Sequence, residues 1–131
     1  MTTTDYLVEL KATPPGATAT VADGIAFIEH SVLPTLAVCQ RLQTAGTVVA
    51  GGPVPGAVAL SFIVRVASAQ ELDELVASLP LWPRAQTTVT PLTTFAGREA
   101  AVRQKLTALK QLQPRHPAER GASFRGGRTS R

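Results

Sequence analysis

The sequence predicts an α+β fold in which four strands alternate with two helices inside one domain, and three observations carry that prediction. Residues 4–11 and 57–67 either alternate apolar with polar side chains or run apolar throughout, as strands do. Residues 20–45 and 68–79 instead repeat apolar positions every three or four residues, the spacing of a helix with one buried face. Last, Leu79-Pro80-Leu81-Trp82-Pro83 places two prolines three positions apart. Neither a helix interior nor a central strand accepts them, so the chain is expected to turn there in extended form before a final strand.

Taken in order, residues 4–11 point Tyr6, Val8 and Leu10 one way and Asp5, Glu9 and Lys11 the other, with Leu7 as the exception. Pro14-Pro15-Gly16 ends this first strand. From Thr20 to Ala45, Ile25, Ile28, Val32, Leu36, Cys39 and Leu42 fall on one helical face, and Gly46 supplies the stop. Pro34 lies inside that pattern. An interior proline removes a backbone donor and clashes one turn back, so a kink is expected, or a short first helix running into a second at Pro34.

Thr47 to Ala50 reads as a short second strand, and Gly51-Gly52-Pro53-Val54-Pro55-Gly56 as a connection outside regular structure. Ala57 to Ala67 is the longest strand signal. Both of its faces are mainly apolar, as in a strand buried on two sides. Ser68-Ala69-Gln70-Glu71 matches a capping box, opening a helix to about Leu79 with Leu72, Leu75, Val76 and Leu79 inward. Arg84 to Leu92 is the last strand, and Pro91 within it argues for an edge.

Strand, helix, strand, strand, helix, strand with right-handed crossovers gives the ferredoxin-like βαββαβ sandwich. It is a four-stranded antiparallel sheet with strands one and three central and both helices on one face. The helices cover one face only, yet the third strand is apolar on both. A second copy packed sheet to sheet, forming a dimeric α/β barrel, is the simplest cover.

Charge divides the chain. Residues 1–97 hold four basic groups against seven acidic ones, whereas residues 98–131 hold nine basic against two acidic, and the whole carries a net +4. The basic excess therefore belongs to the C-terminal part, and nucleic-acid binding by the folded domain gains no support from it. Arg98 to about Gln113 reads as a further helix, apolar at Ala101, Val102, Leu106, Leu109 and Leu112 and able to dock on a neighbouring subunit. The organisation expected is a barrel domain over 1–97, this helix over 98–113, and a basic tail over 114–131 with almost nothing to bury. There is no run of eighteen apolar residues, so no membrane span is expected. With no secretory signal pattern at Met1-Thr2-Thr3-Thr4-Asp5 and a single cysteine, Cys39, a cytoplasmic setting is expected.

At three places the chain resembles the muconolactone isomerase family. They are Gln40-Arg41-Leu42-Gln43 with Ala45-Gly46-Thr47, Ser68 through Leu75, and the corner Leu79-Pro80-Leu81-Trp82-Pro83, where the isomerases carry Phe in place of Trp82. The likeness spans roughly residues 5 to 95. Val89-Thr90-Pro91-Leu92 and Thr94-Phe95 resemble a branch beside the true isomerases. The resemblance implies dimeric α+β barrels that often build larger rings. It also implies a reaction without cofactor, in which a proton leaves a carbon next to a lactone carbonyl and returns elsewhere. Such chemistry needs a base, an acid and a donor for the enolate oxygen in a water-poor pocket. In the isomerases these groups come from the hairpin between strands two and three and from late in helix one. Here the hairpin runs from Val48 to Ala57 and the helix segment from Leu33 to Cys39, and neither holds a charged or histidine side chain. No catalytic residue carries over by match.

The remaining candidates come from residue type and placement. Glu29 and His30 precede Pro34, where a kink would turn them toward the sheet as a catalytic base and its orienter; the plainer alternative is a solvated carboxylate and a half-exposed histidine. Arg65 and Ser61 share a face of the third strand and Tyr6 lies on the neighbouring strand. With Trp82 at the corner, these are the substrate-binding candidates, Arg65 suited to a carboxylate or enolate. Cys39 lacks a nearby cation to lower its pKa. Gly51, Gly52 and Gly56 lack the lysine and helix of a phosphate loop. His30 and His116 are too far apart in sequence to suggest a metal pair. These readings point to a small-molecule ligand, a homodimer or larger ring, and no cofactor, metal or membrane. Two functions lead: cofactor-free proton-transfer isomerisation of a small cyclic or aromatic-derived carbonyl compound, or oligomeric small-molecule binding without the acid–base set; a nucleic-acid partner reached through the arginine-rich tail is the weakest third.

Overall fold

The computed structural model describes residues 2–114, which divide after Thr93 into two units. In the first, β1 (Thr4–Ala12) leads into α1 (Val21–Phe27), a π turn (Ile28–Val32) and α2 (Leu33–Thr44). Then come β2 (Val48–Pro53), β3 (Ala59–Val66), α3 (Ala69–Ala77), a 3₁₀ turn (Trp82–Arg84) and β4 (Ala85–Leu92). The four strands form one antiparallel sheet in the order β2-β3-β1-β4. Thus β1 and β3 are central, while β2, rich in Gly, and β4, with Pro91, take the edges where a missing or weakened ladder bond costs least.

Residues opposite one another across an antiparallel pair share a face. Val8 lies opposite Phe62, Leu10 opposite Leu60 and Tyr6 opposite Val64, so these side chains lie on one side. There Val8, Leu10, Val48, Leu60, Phe62, Val64 and Val66 meet Leu72, Val76 and Leu79 of the second helical segment, with Leu36, Cys39 and Leu42 of α2 against the same cluster. Both helices therefore cover one face. The other face carries Leu7 opposite Ile63 and Asp5 opposite Arg65, and both apolar side chains there are only half-buried.

Thr20 caps the first helix in a reciprocal box: its hydroxyl accepts from the Asp23 N–H and its own N–H donates to Asp23 Oδ2 at 2.9 Å. Pro34 then explains the π turn. Its ring crowds the carbonyl one turn back and it offers no N–H, so the chain inserts a residue there and the Leu33 N–H reaches the Ile28 carbonyl, five residues back. The inserted residue rotates the apolar stripe by about 100°. Ile25 and Ile28, expected to face inward, are consequently exposed at 51% and 49%, and Phe27 is buried instead. By length and mean hydropathy (1.3 over its best window) the continuous Val21–Thr44 helix meets the requirement for a bilayer crossing, contrary to the expectation that no stretch would. Phe27 and Val32 of this helix pack at the corner and Leu36, Val38, Cys39 and Leu42 against the sheet core, whereas Val21, Ile25, Ile28 and Leu33 are exposed.

Strand β2 also departs from expectation, continuing through Gly51, Gly52 and Pro53. A bulge between Val48 and Ala50 breaks its register with β3. Gly51 sits at φ +114°, and a Cβ there would overlap the Ser61 carbonyl oxygen and the Phe62 Cα. Glycine is thus what lets the edge strand lie this close to β3, not a signal that the strand has ended.

The proline-bounded corner is a chain of tight turns instead of an extended one. N–H groups of Leu79, Trp82 and Arg84 bond the carbonyls of Val76, Leu79 and Leu81, a geometry compatible with the fixed φ of proline. Leu79 and Leu81 are buried at 1% and 2% exposure, while Trp82 is 43% exposed. Packing at the corner is therefore done by its leucines.

In the second unit, α4 (Phe95–Leu112) starts three residues before the expected Arg98 because Thr94 caps it, its hydroxyl accepting from the Gly97 N–H at 2.9 Å. Glu99 and Arg103 pair one turn apart on it. The basic tail, from Arg115 on, lies outside the described residues.

Candidate functional site

Depressions line the long helix on more than one side. The first is a groove of about 250 Å³ where α2 faces the β2 edge. Helical spacing puts Leu36, Cys39, Gln40 and Gln43 along one side; Val48, Gly51, Gly52 and Pro53 of β2 and Leu60 and Phe62 of β3 complete it. Here Cys39 is the single ionisable group of the lining, and burial pushes its thiol up, toward the neutral form. The two glutamine amides donate and accept hydrogen bonds but move no proton at neutral pH.

The second is a more open cleft of about 500 Å³ at the other end of the helix. Pro15, Gly16, Thr18 and Ala19 of the β1–α1 loop, Asp23, Ala26 and Phe27 of α1, His30 and Ser31 of the π turn, and Arg84 of the 3₁₀ turn line it. The Arg84 guanidinium carbon stands 4.9 Å from the Phe27 ring centroid, a cation–π distance. Hydrogen bonds from the Thr20 N–H, and next its hydroxyl contact, hold the Asp23 carboxyl below its usual range, with Arg84 adding a smaller pull. Thr35 joins the two sides. Fully buried, its hydroxyl donates to the Ser31 carbonyl at 2.7 Å and accepts from the Leu81 N–H at 2.9 Å, tying the π turn to the corner that carries Arg84.

The residues singled out from sequence do not converge. His30 lines the cleft, but Glu29, beside it on the π turn, does not; both are exposed. Ser61 and Arg65 point to the uncovered face of the sheet. Arg65 is held there by Asp5, Nε to Oδ1 at 2.9 Å, and this bond lowers the Asp5 pKa and raises that of Arg65. Tyr6, opposite Val64, belongs to the helix-covered face, so the sheet separates it from Ser61 and Arg65. Trp82 lines neither depression. Among the described residues no three His, Cys, Asp or Glu side chains come together as metal ligands.

Sequence reasoning missed Arg84, Asp23 and Thr35. Asp23 did carry a signal, the Thr20-x-x-Asp23 capping spacing. Arg84 and Thr35 carried none, because their roles depend on a contact between segments more than forty residues apart.

Sheet order, helix placement and paired depressions define a small antiparallel α+β domain with ligand-sized recesses along one helix. The muconolactone delta-isomerase family model matches residues 5–97. The chain belongs to that family, and the match ends inside the first turn of α4. No individual curated protein matches it.

Proposed function

We propose that this protein is a muconolactone isomerase-like, homo-oligomeric small-molecule binder that takes a compact, neutral cyclic carbonyl compound into the α2–β2 groove without moving a proton there. The observation behind this reading is the lining itself. Ten residues include one ionisable group, a thiol that burial keeps neutral. Shifting a double bond next to a carbonyl needs both a base and an acid. About 250 Å³ suits one small ring and lies just below the usual range of ligand pockets. The glutamine amides of Gln40 and Gln43 would orient a carbonyl, and Leu36, Leu60 and Phe62 would take the ring.

The half-buried Leu7 and Ile63 on the uncovered sheet face support assembly, a second copy packing sheet to sheet to close the barrel. Sedimentation should give at least a dimer, and Ile63→Glu should dissociate it. A monomeric parent would sink the assembly.

A second reading has one observation in its favour: His30 lines the cleft beside Arg84, so proton transfer with His30 as base, as in an isomerase of this family, has a place to occur. Incubation of a γ-lactone with the protein in deuterated buffer separates the two. The first reading expects slowed alkylation of Cys39 by the bound lactone and no deuterium at the α-carbon. Incorporation that disappears in His30→Gln would replace it with the second.

A further inference from the structure

We propose that α4 is a docking helix for an acidic amphipathic helix of another protein, with which it forms a short two-helix coiled coil. The inference stands apart from the groove and the cleft, since α4 falls almost wholly beyond residue 97, where the family match ends.

Every residue of α4 is exposed. At ~100° per residue, Phe95, Val102, Leu106 and Leu109 fall in one stripe about 60° wide, and the last three are 54%, 49% and 54% exposed. A helix that lies on a sheet shows a stripe of roughly 100° or more, whereas a narrow seam with steps of four and three is that of a coiled coil. Written as heptads, Phe95, Val102 and Leu109 take d positions and Leu106 an a position, with Glu99 as the polar a residue before it. Eighteen residues give ~27 Å of contact, a length suited to weak, reversible pairing.

The borders of the seam decide the partner. Arg98 and Lys105 stand at g, Arg103 and Lys110 at e, the positions that meet a partner's flanks. A second copy would set these cations against its own, in parallel or antiparallel order, so self-pairing is repelled. The far side of the helix, with Ala100, Gln104, Thr107 and Gln111, is uncharged, so the cations all lie on the side of the seam. Arg103 bonds Glu99 at 2.9 Å, but both side chains are largely exposed, and such a pair yields to a competing carboxylate. A helix with an apolar seam and Glu or Asp on its flanks satisfies both features. A bilayer does not, because so narrow a stripe buries little apolar surface. A nucleic acid would meet the cations and leave the seam between them against phosphate.

The probe is a synthetic three-heptad peptide with Leu at a and d and Glu at e and g, titrated into the full chain and followed by amide shifts in heteronuclear NMR spectra. Saturable shifts are expected across Phe95–Leu112, and none with the same peptide carrying Lys at e and g. Leu106→Gln combined with Leu109→Gln should weaken binding about tenfold or more. Reversing Arg98, Arg103, Lys105 and Lys110 together to Glu should switch the preference to the Lys peptide, a gain that a merely unfolded helix would not show. The inference is overturned if the Glu peptide gives no saturable shifts, if a version with Ser at a and d binds as well, or if the reversed chain does not switch. Tighter binding of phosphatidylglycerol vesicles or of a single-stranded oligonucleotide to the same residues would overturn it too. So would a smaller sedimenting species in the Leu106→Gln, Leu109→Gln chain than in the parent, which would give the seam to a second copy.

Discussion

Replacing Thr35 by Val tests whether one hydroxyl holds the corner to the helix. The two side chains are nearly isosteric, so packing is preserved and the hydroxyl alone is lost. Thr35 has no exposed surface, and the Leu81 N–H that it satisfies at 2.9 Å belongs to a residue 2% exposed. Water cannot replace the lost acceptor. A buried donor left without a partner costs about 1–3 kcal/mol, and the Ser31 carbonyl loses a partner at 2.7 Å as well. Thr35→Val is therefore expected to destabilise by about 2 kcal/mol, lowering the melting temperature by roughly 10 °C. Thr35→Ser keeps both hydrogen bonds and removes one methyl, for about 1 kcal/mol. Equilibrium urea unfolding at one fixed protein concentration, so that any assembly contributes equally, measures both. The order matters more than either value. If Val is as stable as the parent, or more stable than Ser, the site is held by apolar packing and the hydroxyl bridge contributes nothing.

Further expectations follow from other positions. Gly51→Ala would force a Cβ into the β3 backbone at a φ that side chains avoid, and urea unfolding should show a loss of at least about 2 kcal/mol; a neutral result would mean that β2 does not lie where it is placed. The Thr87 hydroxyl is buried without a partner among the described residues, so Thr87→Val should leave stability unchanged or raise it by up to about 1 kcal/mol, again by urea midpoint. Because Arg65 depresses the Asp5 pKa in the folded state, the pair's contribution is present above the carboxylate's ordinary pKa and fades as pH falls through the lowered one. Asp5→Asn should accordingly flatten the acid limb of a stability–pH profile and leave a parent-like slope near neutrality. Burial raises the Cys39 pKa, so iodoacetamide should alkylate it several-fold more slowly in the native chain than in urea at the same pH.

The sheet was legible because its signals are local. Alternation in residues 4–11 and the doubly apolar 57–67 marked the central strands, and Gly and Pro marked the edges, so strand order followed from connection handedness alone. What the sequence hid was set by contacts across the chain. Gly-Gly-Pro reads as a strand breaker anywhere, and only the closeness of β3 to Gly51 makes it part of β2. The inner face of the first helix was read with an unbroken 3.6-residue period, which the π turn before Pro34 interrupts, so Ile25 and Ile28 were placed inward and Phe27 was overlooked. The cleft could not be seen at all, since its three charged or titratable members come from α1, the π turn and the far side of the corner.

Gly51 also bears on the groove's chemistry. A hairpin that carries catalytic side chains must hold them on Cβ atoms facing the helix, and this chain has no Cβ at two successive groove-lining positions of β2, Gly51 and Gly52. The first of these cannot regain one, because the β3 backbone occupies the place. A side chain at Gly51 would mean moving the edge strand away from β3 and breaking the pairing of Gly51 with Phe62, whereas a Cβ at Gly52 would meet nothing within 4 Å. A wall made of backbone gives room for a ring and amides or carbonyls to face it, but no group that titrates near neutrality. The same close approach that completes the sheet thus leaves Gly51 without room for a side chain, and Cys39 is the one ionisable group in the groove's lining.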